Sequence, residues 1–288
     1  MNKNKIGIVQ GRLSPTINNK IQAFPFHTWQ DEFTIAKKIG FYGIEWVMDS
    51  IDWELNPILS DEGCKEVINL SKETGIEIIS LDPLYLTERG LLSNSYSIIK
   101  ERLSVMKKLI PNCNRVGMKY ILMPVFIGPN LELVKRLKSK ENRKYVISFL
   151  KETIKIAEDN NLKIALETAL NADEILNLID EMNTKSILVC LDTGNSSYFD
   201  HNILSDIKKL SSYIVEVHIK DHSKKNSLGE YTTKYNSVNL GSGDVDFPSI
   251  FKELENSEYK GPFILQMARG KNHLKVVESA LDYTKKFL

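Results

Sequence analysis

Long apolar runs are absent from this chain. No stretch of its 288 residues approaches the roughly 20 consecutive apolar residues that a membrane span needs. The opening MNKNKIGIVQGRLS holds too short an apolar run for a secretory leader. An excess of one charge is absent too. Lys and Arg total 38 against 37 Asp and Glu, a formal charge of +1, so there is neither a basic field to hold nucleic acid nor an acidic solvating tail. Cysteine is scarce: Cys64, Cys113 and Cys190 are odd in number, far apart and in no metal-finger spacing, which reads as reduced thiols. No Gly-rich dinucleotide fingerprint follows the first apolar run, where Gly7 and Gly11 stand in the wrong pattern. No low-complexity linker divides the chain. These absences predict a soluble, cytoplasmic, single-domain protein over residues 1–288, with neither nucleic acid nor membrane as a partner.

What the chain does have is an alternation of short apolar runs and longer amphipathic stretches. The runs are Lys5–Val9, Gly43–Met48, Ile76–Leu81, Tyr120–Phe126, Lys163–Glu167, Ser186–Asp192, Ile214–Lys220 and Pro262–Gln266. Most lack polar alternation, as parallel strands covered on both faces do. Helices are predicted over Thr28–Ile39, ending at Gly40, and from Ser60 or Asp61 to Thr74, ending at Gly75. Further helices are predicted over Glu141–Asn160, Asp173–Met182, Ile203–Leu210, Pro248–Leu254 and His273–Phe287. Helices between successive strands are the grammar of a parallel α/β sheet. Eight such units in 288 residues predict a closed (β/α)8 TIM barrel, with a doubly wound open sheet as the alternative.

Such a barrel places its chemistry at the C-terminal ends of its strands, so the residues closing each run carry the functional reading. The first run leads to Gln10-Gly-Arg12, the second carries Glu45 and leads to Asp49, and the third leads to Asp82. The fourth ends on Pro124 and Phe126, with nothing ionisable. The last four close on Glu167, on Asp192, on His218 (followed by Lys220, Asp221 and His222), and on Gln266. Oxygen and imidazole donors on four successive strands make a candidate shell for one divalent cation, Mn2+, Mg2+, Co2+ or Zn2+. Such an ion keeps positions open for a substrate carbonyl and hydroxyl and stabilises an enediolate as a neighbouring proton leaves. Plainer readings stand beside this. Asp192 in Asp-Thr-Gly-Asn195 fits a βα turn or helix cap, and His218 fits a satisfied buried imidazole. Glu167 is harder to dismiss, because a carboxylate closing an apolar Ile-Ala-Leu run is costly unless paired or metal-bound.

Leu166-Glu167, Leu191-Asp-Thr-Gly-Asn195, Val217-His-Ile-Lys-Asp221, Asn239–Phe247 and Gly261–Gln266 resemble the sugar phosphate isomerase/epimerase family. This is the xylose isomerase-like TIM barrel superfamily. Lys5-Ile-Gly-Ile8 and Gly40-Phe-Tyr-Gly-Ile-Glu45 extend the resemblance over nearly the whole chain. The His-x-Lys-Asp element followed by a Gly-x-Gly loop is its most specific piece. The resemblance implies one divalent metal held by Glu167, Asp192, His218 and the residue closing the eighth strand. In the family's ketose 3-epimerases the fifth- and eighth-strand positions are both glutamates, which exchange protons on opposite faces of the substrate carbon. Glu167 matches and Gln266 departs. An amide oxygen binds a metal, but an amide is no general base at neutral pH. Three outcomes are open: a one-base aldose–ketose isomerisation; a second acid/base among Lys220, His222, Asp82 and Glu45; or a sugar-binding barrel that has lost catalysis. A lyase dehydrating a keto-polyol uses the same scaffold. The superfamily's endonuclease IV group needs several more histidines than the five present.

Arg12 and Arg269, near the ends of the first and eighth strands, are candidates to hold a phosphate, carboxylate or nucleotide-sugar diphosphate. Salt bridges within loops are the plainer reading. Gly241-Ser-Gly243 offers backbone N–H groups to a phosphate, or is a βα turn. The aromatic-rich Ile21–Trp29 is read as a wall or lid in which His27 or Trp29 touches a sugar ring, or as core. The leading expectation is a metal-dependent isomerase or epimerase of a small-molecule sugar or sugar derivative. Glu167 is base and ligand, Asp192 and His218 are ligands, and Gln266 is a neutral ligand or substrate donor. Lys220 stabilises charge or is the second acid/base, and Arg12, Glu45, Asp82, Asn195, His222 and Arg269 are substrate-binding candidates. The resemblance implies a dimer or tetramer.

Overall fold

Eight strands, each hydrogen-bonded in parallel to its neighbours, close into a barrel: β1 (Ile6–Val9), β2 (Gly43–Val47), β3 (Glu77–Asp82), β4 (Tyr120–Pro124), β5 (Lys163–Glu167), β6 (Ile187–Asp192), β7 (Ile214–Ile219) and, after a two-stranded antiparallel pair β8 (Asp221–His222) and β9 (Ser237–Val238), β10 (Phe263–Leu265). The computed structural model describes residues 5–90, 96–127, 131–226, 228–231 and 236–288. Residues 1–4, the start of the segment read above for a leader, lie outside them. β10 pairs back onto β1, Ile6 against Phe263 and Ile8 against Leu265, so the open-sheet alternative falls.

Helices follow the strands where amphipathic spacing and caps placed them. Trp29–Ile39 ends at Gly40, and Asp61–Thr74 starts on Ser60, whose Oγ accepts from Gly63 N at 3.0 Å, and ends at Gly75. The structure adds helices at Leu84–Arg89, Tyr96–Arg115, Leu131–Lys138 and Thr193–Tyr198. The long one was hidden by Pro111, which lies inside it, because an interior proline removes a backbone donor and breaks the helical signature. Among the described residues no helix is long and apolar enough to cross a membrane.

Strand alternation decides what faces the barrel interior. The main apolar core lies between strands and helices, including Ile44, Trp46, Leu81, Leu166, Val217 and Phe263. At about 1.5–3 kcal/mol for each large apolar side chain fully buried, this shell allows polar residues inside the barrel. Two small clusters line that interior, Val9, Val47, Ile79 and Ile264 on one side and Leu122, Ala165 and Cys190 on the other. Residues two apart on a strand share a face. Ala165, Cys190 and Ile264 therefore place Glu167, Asp192 and Gln266 on the interior face one step nearer the C-terminal ends.

Candidate active site and cation site

The register delivers Asp192 beside His218. One ligand atom each from Glu167, Asp192 and His218, all three buried, lie within 4.8 Å of one another. The cap reading of Asp192 also holds: its Oδ1 accepts from Asn195 N at 2.8 Å, starting the helix at Thr193–Tyr198, while Oδ2 lies 3.4 Å from Lys220 Nζ. Asn195, the residue after the glycine of that turn, donates from Nδ2 to Glu167 Oε1 at 3.3 Å. Thr193 Oγ1 donates to Lys220 O at 2.7 Å and ties the same turn to the end of β7. Burial raises Glu167 above the usual carboxylate range, His218 and Lys220 pull it down, and Asp192 pushes it further up.

On its other side His218 meets Glu45 together with two polar residues that sequence reasoning missed, Ser80 and Glu216. Nε2 lies 3.1 Å from Glu45 Oε2 and 3.2 Å from Glu216 Oε1, and Ser80 Oγ lies 3.0 Å from Glu45 Oε2 and 2.8 Å from Glu216 Oε2. Glu45, Ser80, Glu216 and His218 are all 0% exposed. Glu45, expected at the substrate, is instead an interior partner of His218. Burial and Glu216 drive Glu45 well above the carboxylate range against the pull of His218. Burial also opposes the charge on Glu216, yet hydrogen bonds with His218, Glu45 and Ser80 hold it below that range. The pair therefore keeps one proton and one negative charge, as buried carboxyls in contact do. Glu216 stands two residues before His218 on a strand, so the alternation that places His218 inside also places Glu216 inside.

A second polar chain runs along the rim. Gln22, in the loop after β1, donates from Nε2 to Asp82 Oδ2 and accepts from Gln266 Nε2 at 3.2 Å and from Arg12 Nη2 at 3.4 Å. The Ile21–Trp29 segment thus reaches the site through Gln22. Trp29 packs in the core against Phe33 and Trp46, and His27 is exposed. Asp82 is pushed up to about 7 by burial and then by Glu167, against His218, Gln22 and Lys220.

The anion-binding candidates have partners within the chain. Arg12, 2% exposed, donates to Met267 O at 3.1 Å and to Ile21 O, clamping the loop after β1 to the end of β10. Arg269 donates to Ile21 O at 3.1 Å and to Ser14 O at 2.9 Å. Burial and the neighbouring Arg269 bring Arg12 down to about 9, which leaves it charged at neutral pH. Gly11 holds the same loop with φ +85°, and a Cβ there would meet Ala23 O at 2.5 Å. The Gly241–Gly243 loop cradles a carboxylate from its own chain. Asp221 accepts from the backbone N–H of His222, Gly241, Gly243 and Val245 at 2.8–3.3 Å. A Cβ on Gly243 would lie 2.2 Å from Asp221 Oδ1. His222 is buried edge-on to Tyr198, ring centroids 5.3 Å apart. A cavity of about 400 Å³ opens at the opposite end of the barrel, lined by Lys5, Tyr42, Glu77, Lys119 and Lys260 among others, on the face where such barrels carry stability rather than chemistry.

The residues present fit a divalent cation. His218 Nδ1 and Gln266 Oε1 are both buried with no hydrogen-bond partner, and a buried polar atom without a partner is costly. Together with carboxylate oxygens of Glu167 and Asp192 they form an N/O donor set of the kind that binds Mn2+, Co2+ or Zn2+ and, less readily, Mg2+.

Comparison with known proteins agrees with this architecture. The family model for the xylose isomerase-like TIM barrel matches residues 33–287. The L-ribulose-5-phosphate 3-epimerase UlaE of Escherichia coli is 25% identical over 248 residues, 83% of this chain and 82% of that protein. The D-allulose 3-epimerase from Methylomonas sp., solved in complex with D-allulose, superposes with a TM-score of 0.73 at 17% identity over 100% of this chain and 98% of that one. The IolI protein, solved with a bound zinc atom, superposes with a TM-score of 0.70 at 18% identity over 99% of each chain.

Proposed function

The chain belongs to the xylose isomerase-like TIM barrel family, and from that premise we propose that it is a divalent-metal-dependent isomerase or epimerase of a ketose. The observation that carries this reading is the convergence of Glu167, Asp192 and His218 on one point, with a buried, unpartnered Gln266 Oε1 at the end of the adjacent strand. Glu167, Asp192, His218 Nδ1 and Gln266 Oε1 would hold the ion. When bound, the cation supplies Lewis acidity that stabilises negative charge on substrate oxygens. Glu167, raised by burial and oriented by Asn195, removes a proton from the carbon beside the substrate carbonyl. Lys220, 3.4 Å from Asp192, adds positive charge where the enediolate develops.

Several observations support an uncharged polyol end rather than a phosphorylated one. Arg12 and Arg269 donate to backbone carbonyls, and Asp221 fills the Gly241–Gly243 loop. The test is solvent deuterium incorporation into D-allulose and L-ribulose 5-phosphate, the sugars named for the relatives, in protein loaded with Mn2+. Exchange at the carbon next to the carbonyl, lost in Glu167→Gln, is the expected result. Binding of the sugar with no exchange would favour the second reading, a sugar-binding barrel without catalysis, to which the Gln266 amide points.

A further inference from the structure

The geometry points to Asp82, held through Gln22, as the second proton carrier of this site, in the role that an amide at position 266 cannot fill. The inference rests on the isomerase or epimerase reading given above.

The other carboxyl candidates and Lys220 are engaged elsewhere. Glu45 lies inside the barrel against His218 Nε2 and Ser80. Asp49 accepts from Phe24 N at 3.0 Å and Ile51 N at 3.1 Å. Asp221 is held by four backbone N–H groups. Lys220 pairs with Asp192 on the cation side. Asp82 closes β3, two positions beyond the interior-facing Ser80, and is 4% exposed. Its carboxyl receives one hydrogen bond among the described residues, from Gln22. It stands on the half of the barrel that contributes no cation ligand, near enough to Glu167 for their charges to interact.

Gln22 links the two positions with a fixed polarity. Its amide has a donor end and an acceptor end. The donor end serves the carboxyl at 82 and the acceptor end serves the amide at 266. A carboxyl at one end and an amide at the other satisfy the bridge, and Arg12 Nη2, which donates to the same Gln22 oxygen at 3.4 Å, holds the amide in this orientation. The carboxyl of the pair stands at the end of β3 and the amide just beyond β10.

In the reaction, Glu167 as carboxylate takes the proton from the substrate carbon, and that C–H electron pair becomes the enediolate. Protonated Asp82 gives its proton to the opposite face of the same carbon. The cycle ends with Glu167 protonated and Asp82 ionised, and exchange with water resets both.

The experiment uses full-length protein in deuterium oxide with Mn2+ and a panel of pentuloses and hexuloses, with and without a terminal phosphate. Wild type, Asp82→Asn, Gln266→Glu and Asp82→Asn/Gln266→Glu are compared for deuterium incorporation, for epimer formation and for Mn2+ affinity by electron paramagnetic resonance. The expected result has three parts. Asp82→Asn binds Mn2+ within threefold of wild type. It still exchanges the proton facing Glu167 but forms the epimer at least 100-fold more slowly. The double variant regains at least tenfold of that loss. Unchanged epimer formation in Asp82→Asn overturns the assignment. So does a tenfold loss of Mn2+ affinity in that variant, which makes Asp82 a ligand. Wild type that binds no Mn2+ and exchanges no panel sugar overturns the functional reading itself, and Asp82 with it; that failure differs from the other two because it is seen before any substitution is made.

Discussion

His218 Nε2 lies 3.1 Å from Glu45 Oε2, with both side chains fully buried. The contact fixes the imidazole from below and leaves Nδ1 as the nitrogen without a protein partner. A histidine that ligates through one nitrogen while donating the other to a carboxylate is a recurring arrangement, and its loss typically lowers metal affinity 10–100-fold. Glu216→Gln keeps the volume, removes the negative charge shared by His218 and Ser80, and is expected to weaken Mn2+ binding about tenfold. Glu216→Ala leaves Glu45 and His218 unbalanced and is expected to lower stability by about 3 kcal/mol, read by urea unfolding.

Substitution at position 266 alone is expected to cut both ways. Gln266→Glu adds an anionic ligand for the cation, so Mn2+ binds more tightly by about tenfold. It also turns a carboxylate toward Gln22 Oε1, which now accepts from Gln266 Nε2 at 3.2 Å. Two acceptors facing each other in a buried place are expected to reduce stability of the metal-free protein by about 1–3 kcal/mol. Thermal unfolding with and without Mn2+ separates the two effects, and unchanged metal-free stability would contradict the bridge.

Much of this site was legible in the sequence because strand ends are legible. Glu167, Asp192, His218 and Gln266 each close an apolar run, and a parallel barrel leaves few places for such residues except its C-terminal rim. Gln22 was hidden because it comes from a loop, where no periodicity assigns a direction. Glu216 was read as part of the apolar run around His218, although period-2 alternation puts the two on one face. Arg12 and Arg269 looked like anion ligands because a sequence shows a guanidinium but not the carbonyls it meets. The helix at Tyr96–Arg115 was obscured by Pro111.

Arg12 is read as a clamp rather than a phosphate ligand. Arg12→Ala removes its bonds to Met267 O and Ile21 O and is expected to lower stability by about 2–4 kcal/mol. The ratio of kcat/KM for unphosphorylated and phosphorylated ketoses is expected to stay within threefold of wild type. Selective loss of the phosphorylated substrates would reassign Arg12 to the ligand.

Glu32, like Asp82, gives the fold a pH dependence. It is 0% exposed, its Oε2 accepts from Gly11 N at 3.0 Å, and burial lifts it from 4.5 to about 7 against the hydrogen bond from Gly11. The folded state therefore holds a proton that the unfolded chain releases near 4.5. Its stabilising contribution is complete below that value and is lost as pH rises through about 7. The difference amounts to about 3 kcal/mol. Urea unfolding of wild type is expected to weaken between pH 5 and 8 by about that amount through this group, with a shallower slope in Glu32→Gln. Equal slopes in the two proteins would contradict the assignment.

The most direct measurement is a crystal structure of the protein soaked in Mn2+, with anomalous scattering used to place the ion. The account predicts one ion per chain, bound by Glu167, Asp192, His218 Nδ1 and Gln266 Oε1. An ion lodged instead among Cys190, Glu216 and His218, which also bring ligand atoms within 4.8 Å of one another, would contradict it, as would no ion at millimolar Mn2+.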